Sequence, residues 1–347
     1  MTSQPMPRQP TMQDVAAQAG VALSSVSRAL SGHPDVSPAM RKRVEDAAAA
    51  LGYEPDLLAQ SLRRGSTRTV GFVVRDISNP LFADIAKAAE QTLRHAGYSM
   101  LLTNSDGSTD IEAENVNLLR RRRVDGLILS SVSETEQRTL EVLRSTRIPI
   151  VLLDRETQSV AASAVISDHY HGIRAAVSEL LTLGHRDIAM VSGPREIRPT
   201  RERLRGLVDA HRAAGVPLRD DLLRLGSFAE DFAGRHTKDL LALARPPTAI
   251  LAGGIQSAVG VLTTLAERGI RPGEDIGFVG VDDLPLLRLF NPPISVVTRD
   301  SSRIGQFAAQ LFLDMVAGAP PRVEVVSTEY VARASSGGPV GAAAART

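Results

Sequence analysis

The fold of the N-terminal part of the chain is decided by residues 11–30, which read TMQDVAAQAGVALSSVSRAL. Thr11 can cap a helix, and Asp14, three residues further on, stabilises the positive end of the same helix. A glycine interrupts the apolar pattern in the middle of the stretch, and a second helical pattern of small and hydroxyl side chains follows it. These residues predict two short helices joined by a tight turn.

The spacing of three residues makes this pair of helices a candidate helix-turn-helix. Ala16, Gly20 and Val26 lie four and six residues apart. A small residue lets two helices cross closely, a glycine takes positive φ in the turn, and a β-branched residue fixes the second helix against the first. A third helical pattern follows, with a proline at its first helical position and a glycine at its end. We therefore predict a three-helix domain over residues 11–55.

The second helix of such a motif enters the major groove of DNA, with its N-terminal residues on the base edges. Hydroxyl groups can donate to bases or phosphates, and an arginine can form a fork onto a guanine or hold a phosphate. The candidate DNA-contacting residues of this domain are Thr11, Leu23, Ser24, Ser25, Ser27 and Arg28. On spacing alone, a three-helix bundle with a polar exposed helix remains the alternative.

Residues 56–64 form a short amphipathic segment that follows this domain. Leu58 and Leu62 are four residues apart and share one helical face, which is too small to anchor a helix alone. A leucine flanked by arginines is typical of a minor-groove wedge, in which the leucine opens a base step while Arg63 neutralises phosphate. An ordinary helix between two domains explains the same composition. Leu62 and Arg63 are therefore further candidate DNA contacts.

The body of the chain, residues 69–333, alternates apolar strand patterns with helical patterns. Nine strands can be read, with the sequences TVGFVV, SMLLT, GLILS, PIVLL, SAVIS, DIAMVS, TAILA, DIGFVG and ISVVT. Strands that alternate with helices of this length predict an α/β fold with parallel sheets and right-handed crossovers. Because about 265 residues is large for one such sheet, we predict two lobes.

Ligands in such folds bind at the carboxyl ends of the strands. Asn79 and Phe82 follow the first strand, where they can cap the next helix and cover a ligand ring, or simply serve as a cap and a core aromatic. Asp154 and Arg155 follow the fourth strand, where they can face the ligand or pair with each other. These four residues are candidates for a ligand site in the body.

Nearly the whole chain resembles the LacI/GalR family of bacterial transcription regulators. The pieces DVAAQAGV, SVSRAL, DVSPAMRKRVEDAAAALGYEPDLLAQSLR and DISNPLF follow the order and spacing of that family, and the similarity continues to about residue 333. The resemblance implies that the helix from Ala22 reads the major groove of an operator. It also implies that residues 56–68 are a hinge helix and linker, with Leu62 as the minor-groove lever.

The resemblance further implies a periplasmic-binding-protein-like domain for effector binding and dimerisation over residues 69–333. In the family the chain passes between the two lobes three times, and the corresponding places here are near residues 167, 297 and 324. These crossings give lobe 1 about residues 69–167 and 298–323, and lobe 2 about residues 168–297 and 324–333. The Pro-rich residues 1–10 and the Gly-rich residues 334–347 are predicted to be disordered.

Positions that meet the ligand in the family can be carried over one by one. Arg201 and Arg203 match arginines that meet a hydroxyl-rich or carboxylate ligand, since an arginine fork suits both. Asp282 matches an aspartate that accepts from ligand hydroxyls. Asp168 and Gly254 lie at the two remaining matched places, and complete the set of predicted effector-binding residues.

Three departures from the family pattern bear on the ligand and on the operator. Gly254-Ile255 stands where the family usually has Asn-Asp, and His169 stands in place of an asparagine, so the cleft offers fewer acceptors to a sugar ring. An acidic ligand is therefore favoured over a neutral sugar. The alternative is a cleft that has lost ligand binding or responds to a partner protein instead. Ala22 stands where the family usually has a serine that caps the reading helix and contacts phosphate.

Several classes of protein and site do not fit the sequence. The chain has no cysteine, which excludes a disulfide scaffold and thiolate metal sites. The histidines show no metal spacing and no P-loop is present, so we predict no catalytic residue, no metal and no cofactor. The N-terminus lacks the apolar core of a signal peptide, and no run approaches the roughly 18 apolar residues of a membrane span. We therefore expect a cytoplasmic, nucleoid-associated protein with no membrane partner.

The sequence as a whole predicts a dimeric transcription regulator, more often a repressor, whose affinity for double-stranded operator DNA is controlled by a small-molecule effector. The effector is expected to be a sugar, a sugar acid or a sugar phosphate. The first alternative is a soluble small-molecule binding protein without a DNA role, which would not need residues 11–64. The second is an α/β enzyme acting on sugars or nucleotides, which would need the catalytic residues that are missing.

Overall fold

The computed structural model describes residues 10–31, 33–53, 65–157 and 159–338. The chain divides into two compact units, a head up to residue 67 and a body from residue 68 onward. The predicted hinge segment, with Leu62 and Arg63, lies outside the described residues, as do residues 1–9 and 339–347. The expectations for those segments stay predictions.

The described part of the head consists of α1 (Met12–Ala19), α2 (Leu23–Leu30) and α3 (Pro38–Leu51). Gly20 ends α1 with a φ of 63°, a left-handed value that glycine tolerates better than other residues. Val15, Val26 and Val44, one from each helix, are fully buried in one cluster. The predicted helix-turn-helix is confirmed, because the glycine turn and the β-branched contact occur where the spacing required them.

Lobe 1 of the body is built on a six-stranded sheet in which all neighbouring strands are parallel. In spatial order its strands are β11 (Val323–Val326), β5 (Ser163–Ser167), β4 (Ile150–Leu153), β3 (Gly126–Leu129), β1 (Thr69–Val74) and β2 (Ser99–Asn104). Its helices are α4 (Pro80–His95), α5 (Thr109–Arg121), α6 (Gln137–Arg144) and α12 (Ser301–Val316). Since α12 packs against α4, the core of lobe 1 is completed by a segment from the C-terminal part of the chain.

Lobe 2 is built on a second six-stranded sheet, in which only the edge strand β12 is antiparallel to its neighbour. In spatial order its strands are β12 (Thr328–Val331), β10 (Ser295–Arg299), β9 (Gly277–Val281), β8 (Ala249–Ala252), β6 (Ile188–Ser192) and β7 (Leu223–Leu225). Its helices are α7 (His169–Thr182), α8 (Arg198–Ala213), α9 (Glu230–Leu241), α10 (Ile255–Glu267) and α11 (Pro285–Leu289). The predicted two-lobed α/β fold is confirmed.

The nine strands that were predicted are all present, and β7, β11 and β12 are additional. These three strands are short and partly exposed, so they lack the continuous apolar run by which a buried parallel strand is recognised. The pairing of β11 and the length of β10 also place two of the lobe boundaries later in the chain than predicted. Because β11 pairs with β5 of lobe 1, the third crossing follows Val326, and because β10 extends to Arg299, the second crossing follows that residue.

The body extends beyond the predicted end at residue 333. Residues 334–336 form a short 3-10 helix in which Ser335 is fully buried. Ser335 Oγ donates to the carbonyl of Phe278 at 2.7 Å and accepts from the N–H of Ser295 at 2.8 Å. The prediction that disorder begins at residue 334 is therefore wrong. Ser335 satisfies backbone groups of the lobe 2 sheet that would otherwise be buried without partners.

Candidate functional site

The second helix of the head presents a polar face away from the head core. Val26 and Ala29 of α2 are buried, whereas Leu23, Ser24 and Arg28 are exposed. Leu23 is a large apolar side chain that is 45% exposed at the first turn of the helix. A face of this composition can approach DNA with an apolar group, a hydroxyl and a cation.

The other candidate DNA contacts of the head are either half-buried or engaged in hydrogen bonds within the head. Ser25 and Ser27 are half-buried at the sides of α2. Thr11 caps α1, because its Oγ1 accepts from the Asp14 N–H at 3.4 Å and donates to the Asp14 carboxylate at 2.7 Å. The Thr11 N–H also donates to that carboxylate at 2.7 Å. Thr11 therefore has a structural role as a helix cap, and its DNA contact stays a prediction.

Helix α2 begins without a side-chain cap. Ala22 occupies the cap position with extended backbone, and its side chain can accept no hydrogen bond. Replacing Ala22 by serine is expected to stabilise α2 by about 0.5–2 kcal/mol, because the hydroxyl can accept from the N–H of Ser24 or Ser25. Amide hydrogen exchange within α2 of the full chain should slow severalfold. As a control, Ala49→Ser places the same hydroxyl on the exposed last turn of α3, where it cannot cap a helix N-terminus. Equal slowing of exchange within α3 would contradict the capping explanation.

A cavity of about 680 Å³ lies between the two lobes of the body, at the carboxyl ends of strands from both sheets. Seven of the nine predicted effector-binding residues line it, namely Asn79, Phe82, Asp154, Arg155, Arg203, Gly254 and Asp282. Its lining combines hydrocarbon side chains with a few convergent charged groups, as is typical of small-molecule sites. The strand-end rule therefore brings most of the predicted residues together.

Asp168 and Arg201 do not line the cavity. Asp168 caps α7 by accepting from the His171 N–H at 3.3 Å, and its carboxylate contacts the His171 ring at 2.6 Å. Arg201 donates to the Glu134 carboxylate at 2.6 Å on the outer side of α8. The cavity is met instead by Arg203, because residues two apart on a helix are rotated by about 200°. The contact of Asp168 and Arg201 with the ligand stays a prediction, and both side chains are engaged elsewhere in this structure.

Arg299 is the central cation of the cavity, and the sequence analysis did not single it out. Its side chain is 5% exposed, and its Nε donates to Asp282 of lobe 2 at 2.8 Å. Its Nη1 donates to Asp154 of lobe 1 and, at 2.8 Å, to the hydroxyl of Ser167 at the first crossing. Arg299 is the last residue of β10 and therefore ties both lobes together at two of the three crossings.

The pKa values of this group reflect competition between burial and pairing. Burial alone would raise the pKa of Asp154, but Arg299 and His169 hold it well below its usual value. Burial would lower the pKa of Arg299, but Asp282 and Asp154 raise it above its usual value. Burial and the nearby Arg203 lower the pKa of His169 to about 4. At neutral pH Asp154 is therefore an ionised carboxylate, Arg299 is charged and His169 is neutral.

Three further arginines line the cavity without a carboxylate as hydrogen-bond partner. Arg155 donates to the carbonyls of Ser131 and Asp154. Arg203 donates to the carbonyl of Gly253 at 2.6 Å, while its Nε is buried and has no hydrogen-bond partner. Arg75 lies over the ring of Phe228, with the guanidinium carbon 5.2 Å from the ring centroid.

Burial lowers the pKa of each of these three arginines from its usual value, and for Arg203 to about 10. All three remain charged at neutral pH, so the cavity has unpaired positive charge. Phe228 and Arg75 were not predicted as site residues. Phe228 follows β7, a strand of three residues that gave no sequence signal, whereas Arg75 directly follows the first predicted strand and could have been found by the strand-end rule.

A second set of ion pairs joins the lobes outside the cavity. Glu134 of lobe 1 accepts from the Arg201 side chain at 2.6 Å and from the Arg198 N–H at 3.0 Å. Glu156, also in lobe 1, accepts from the Arg198 side chain at 2.6 Å. These contacts hold the lobes together next to the cavity, and they account for the dense arginines at the start of α8.

Neither a metal site nor a membrane-spanning helix is found among the described residues. No group of three or more His, Asp or Glu side chains there is placed to hold a metal ion. None of the described helices is long and apolar enough to cross a membrane. The cavity is lined by arginine, carboxylate and hydrocarbon side chains, together with the uncharged polar side chains of Asn79, Ser130 and Gln256.

Comparisons with known proteins assign both units. The model for bacterial regulatory proteins of the lacI family matches residues 11–56, and the model for periplasmic binding proteins and the sugar-binding domain of the LacI family matches residues 67–334. Catabolite control protein A of Priestia megaterium is 32% identical over 87% of this chain and 91% of its own length.

Two solved structures are similar over almost the whole chain. The complex of the transcriptional regulator CelR with cellobiose has a TM-score of 0.71 and 30% identity, over 94% of this chain and 99% of that chain. The lac repressor dimer bound to operator and the anti-inducer ONPF has a TM-score of 0.82 and 26% identity, over 95% of this chain and 100% of that chain.

Proposed function

Since the chain belongs to the LacI family of bacterial regulatory proteins, we propose that it is a homodimeric repressor controlled by an acidic small molecule. It is a DNA-binding transcriptional repressor that responds to a small-molecule effector, as its family is. The observation that carries the DNA role is the exposed face of α2, with Leu23, Ser24 and Arg28. Because double-stranded operator DNA is its partner, we assign it to the cytoplasm, at the nucleoid.

The proposed homodimer is supported by exposed apolar side chains in both lobes. Leu101 and Leu102 on the edge strand β2 are 42% and 39% exposed, and Leu286 and Leu289 on α11 are 72% and 80% exposed. An exposed edge strand and exposed large apolar side chains both favour association between chains. The lac repressor structure that resembles this chain is a dimer on its operator. A two-fold dimer places two reading helices on two half-sites of a roughly palindromic operator.

The proposed site of the effector is the cavity between the lobes. Asp154 and Asp282 both accept from Arg299, whereas Arg75, Arg155 and Arg203 have no carboxylate as hydrogen-bond partner there. With Asp76, three aspartates and four arginines line the cavity. The net charge that faces the ligand is therefore positive, which favours a carboxylate or a phosphate over a neutral sugar. A sugar acid, a phosphorylated sugar or another carboxylate meets this condition.

Coupling between the effector and DNA follows from where the cavity lies. The ligand touches both lobes close to Arg299, so it binds one arrangement of the lobes better than another and shifts the population toward it. A change in lobe arrangement would alter the spacing of the predicted hinge segments, 56–64, in the two subunits. The affinity for the operator would change with that spacing.

Binding of the full chain to DNA from upstream of its own gene tests the regulator role. Arg28→Ala is expected to weaken binding by about 1–3 kcal/mol, or roughly tenfold to a hundredfold, because a guanidinium contact to base or phosphate is lost. Leu23 and Ser24 substitutions should change which operator sequence is preferred. Fluorescence anisotropy at several salt concentrations measures both effects.

The control for this test is Arg94→Ala, which removes an exposed arginine of the body that pairs with Glu90 on its own helix. It should leave DNA affinity unchanged. The regulator role would be refuted if micromolar wild-type protein bound no upstream DNA at low salt. A chain that bound a small molecule but no DNA would support the alternative of a soluble binding protein.

A further inference from the structure

Most of the wall of the interlobe cavity is hydrocarbon. Lobe 1 contributes aromatic and aliphatic side chains from α4, β4 and α12, and lobe 2 contributes others beside α8 and at the start of α10. These side chains are Phe82, Ile85, Leu153 and Ile304 of lobe 1 and Phe228 and Ile255 of lobe 2. An apolar wall stabilises a ligand in proportion to the apolar surface that the ligand buries there, and it offers no partner to a hydroxyl group.

The polar groups that remain available in the cavity are mainly donors. Arg203 is 3% exposed, and its buried Nε has no hydrogen-bond partner. Arg75 and Arg203 both lie near the ring of Phe228, with guanidinium carbons 5.2 and 5.6 Å from its centroid. A guanidinium only donates and an ionised carboxylate only accepts, so these two cations match one carboxylate beside an aromatic ring.

The carboxylates of the cavity already accept hydrogen bonds within the protein. Asp154 and Asp282 accept from Arg299, and Asp76 accepts from Ser78 and Gln256. Every hydroxyl of a sugar also has to donate a hydrogen bond, and a buried hydroxyl that finds no acceptor loses free energy relative to water. Apart from the side-chain oxygens of Ser130 and Gln256, a polyhydroxylated ring of any charge would find few side-chain acceptors without a partner in this cavity.

We infer that the effector is a carboxylate carried on an apolar ring, an aromatic or alicyclic acid, and that its carboxylate binds Arg203 and Arg75 beside Phe228. This inference rests on the proposed function only in taking the interlobe cavity as the effector site. It narrows the ligand class from acids in general to acids with few hydroxyl groups. The ring would lie against the apolar wall that the two lobes share.

Isothermal titration calorimetry with the full chain can distinguish the effect of the ligand's carboxylate on affinity from the effect of its hydroxyl groups. Cyclohexanecarboxylate and glucuronate both carry one carboxylate on a six-membered ring, and differ chiefly in the hydroxyls of the sugar acid. Cyclohexanecarboxamide is the neutral match of the first, and 3-phenylpropionate is an aromatic alternative. The better of the two apolar acids is expected to bind at least about tenfold more tightly than glucuronate, and cyclohexanecarboxylate at least about tenfold more tightly than its amide.

Three variants test the position of the carboxylate. Arg203→Gln and Arg75→Gln are each expected to weaken binding of the apolar acid by about tenfold or more, since a charge-assisted hydrogen bond is lost. Arg75 is only half-buried, so its variant keeps the test available if Arg203→Gln does not fold. Arg205→Gln is the control, because Arg205 lies on the same helix, pairs with Glu202 on the surface and should not affect binding.

The outcomes distinguish this inference from the proposed function. Tighter binding of glucuronate or glucose than of the apolar acids would overturn the ligand class, and so would the failure of both apolar acids to bind at millimolar concentration. Unchanged affinity in both arginine variants would overturn the assigned carboxylate position. The DNA titration described above is measured without ligand, so a failure there would refute the regulator role and leave the calorimetric result standing.

Discussion

Replacing Arg299 by methionine is expected to lower the free energy of unfolding by about 3–5 kcal/mol, the usual cost of removing one partner of a buried ion pair. The side chain of Arg299 is 5% exposed and those of Asp154 and Asp282 are 14% and 7% exposed. Without Arg299 both carboxylates stay buried and lose the cation that donates hydrogen bonds to both of them. Denaturant unfolding of the full chain, followed by circular dichroism, measures the change.

The same substitution should make stability depend differently on pH. In the wild type the folded-state pKa of Asp154 is well below its usual value, so its contribution is present above about pH 4 and is lost only as the pH falls through the folded-state pKa. In Arg299→Met the opposing effect of burial dominates and raises that pKa. The loss of unfolding free energy in the variant should therefore be largest at neutral pH and become smaller toward pH 5.

Arg322→Met is the matched control for this prediction. Arg322 also pairs with two carboxylates, Asp314 and Glu324, but its side chain is 43% exposed. Surface pairs of this kind contribute about 0–1 kcal/mol. Equal losses in the two variants, or a deficit in Arg299→Met that grows as the pH falls, would contradict the explanation by buried charge.

Replacing Phe312 by alanine is expected to cost about 3–5 kcal/mol of unfolding free energy, because a large buried aromatic side chain is removed and a cavity is left. Phe312 is fully buried in the core of lobe 1 and meets the ring of Tyr98 edge to face, with centroids 5.2 Å apart. It also fills the space above Gly126, where an added Cβ would come within 2.3 Å of the ring. Denaturant unfolding again provides the measurement.

Phe307→Ala supplies the control on the same helix. Phe307 is half-buried, and Arg303 covers its ring with the guanidinium carbon 5.0 Å from the centroid. Because less apolar surface is lost and no closed cavity forms, its cost should be clearly smaller. If the two alanine variants were equally stable, Phe312 would not be the residue that completes the core of lobe 1.

The contrast between Arg201 and Arg203 shows how far the sequence alone could identify the site. Both arginines match ligand-contacting positions of the family, but only Arg203 faces the cavity. A signal for this difference was present, because Arg203 lies four residues before the buried Leu207 and seven before the buried Ala210, on one helical face, whereas Arg201 lies about 200° around the helix from Arg203. Which of the two faces meets a ligand could be assigned only once α8 was packed against α7.

The sequence by itself determined the elements whose signals are local. The turn at Gly20, the helix-turn-helix around Val26 and the alternating strands and helices all depend on residues within a few positions of one another. The tertiary structure alone decided the partners of Arg299, Phe312 and Ser335, because each meets residues that are far away in the sequence. Burial and charge pairing are set by where the three crossings bring distant segments together, and no local pattern records that placement.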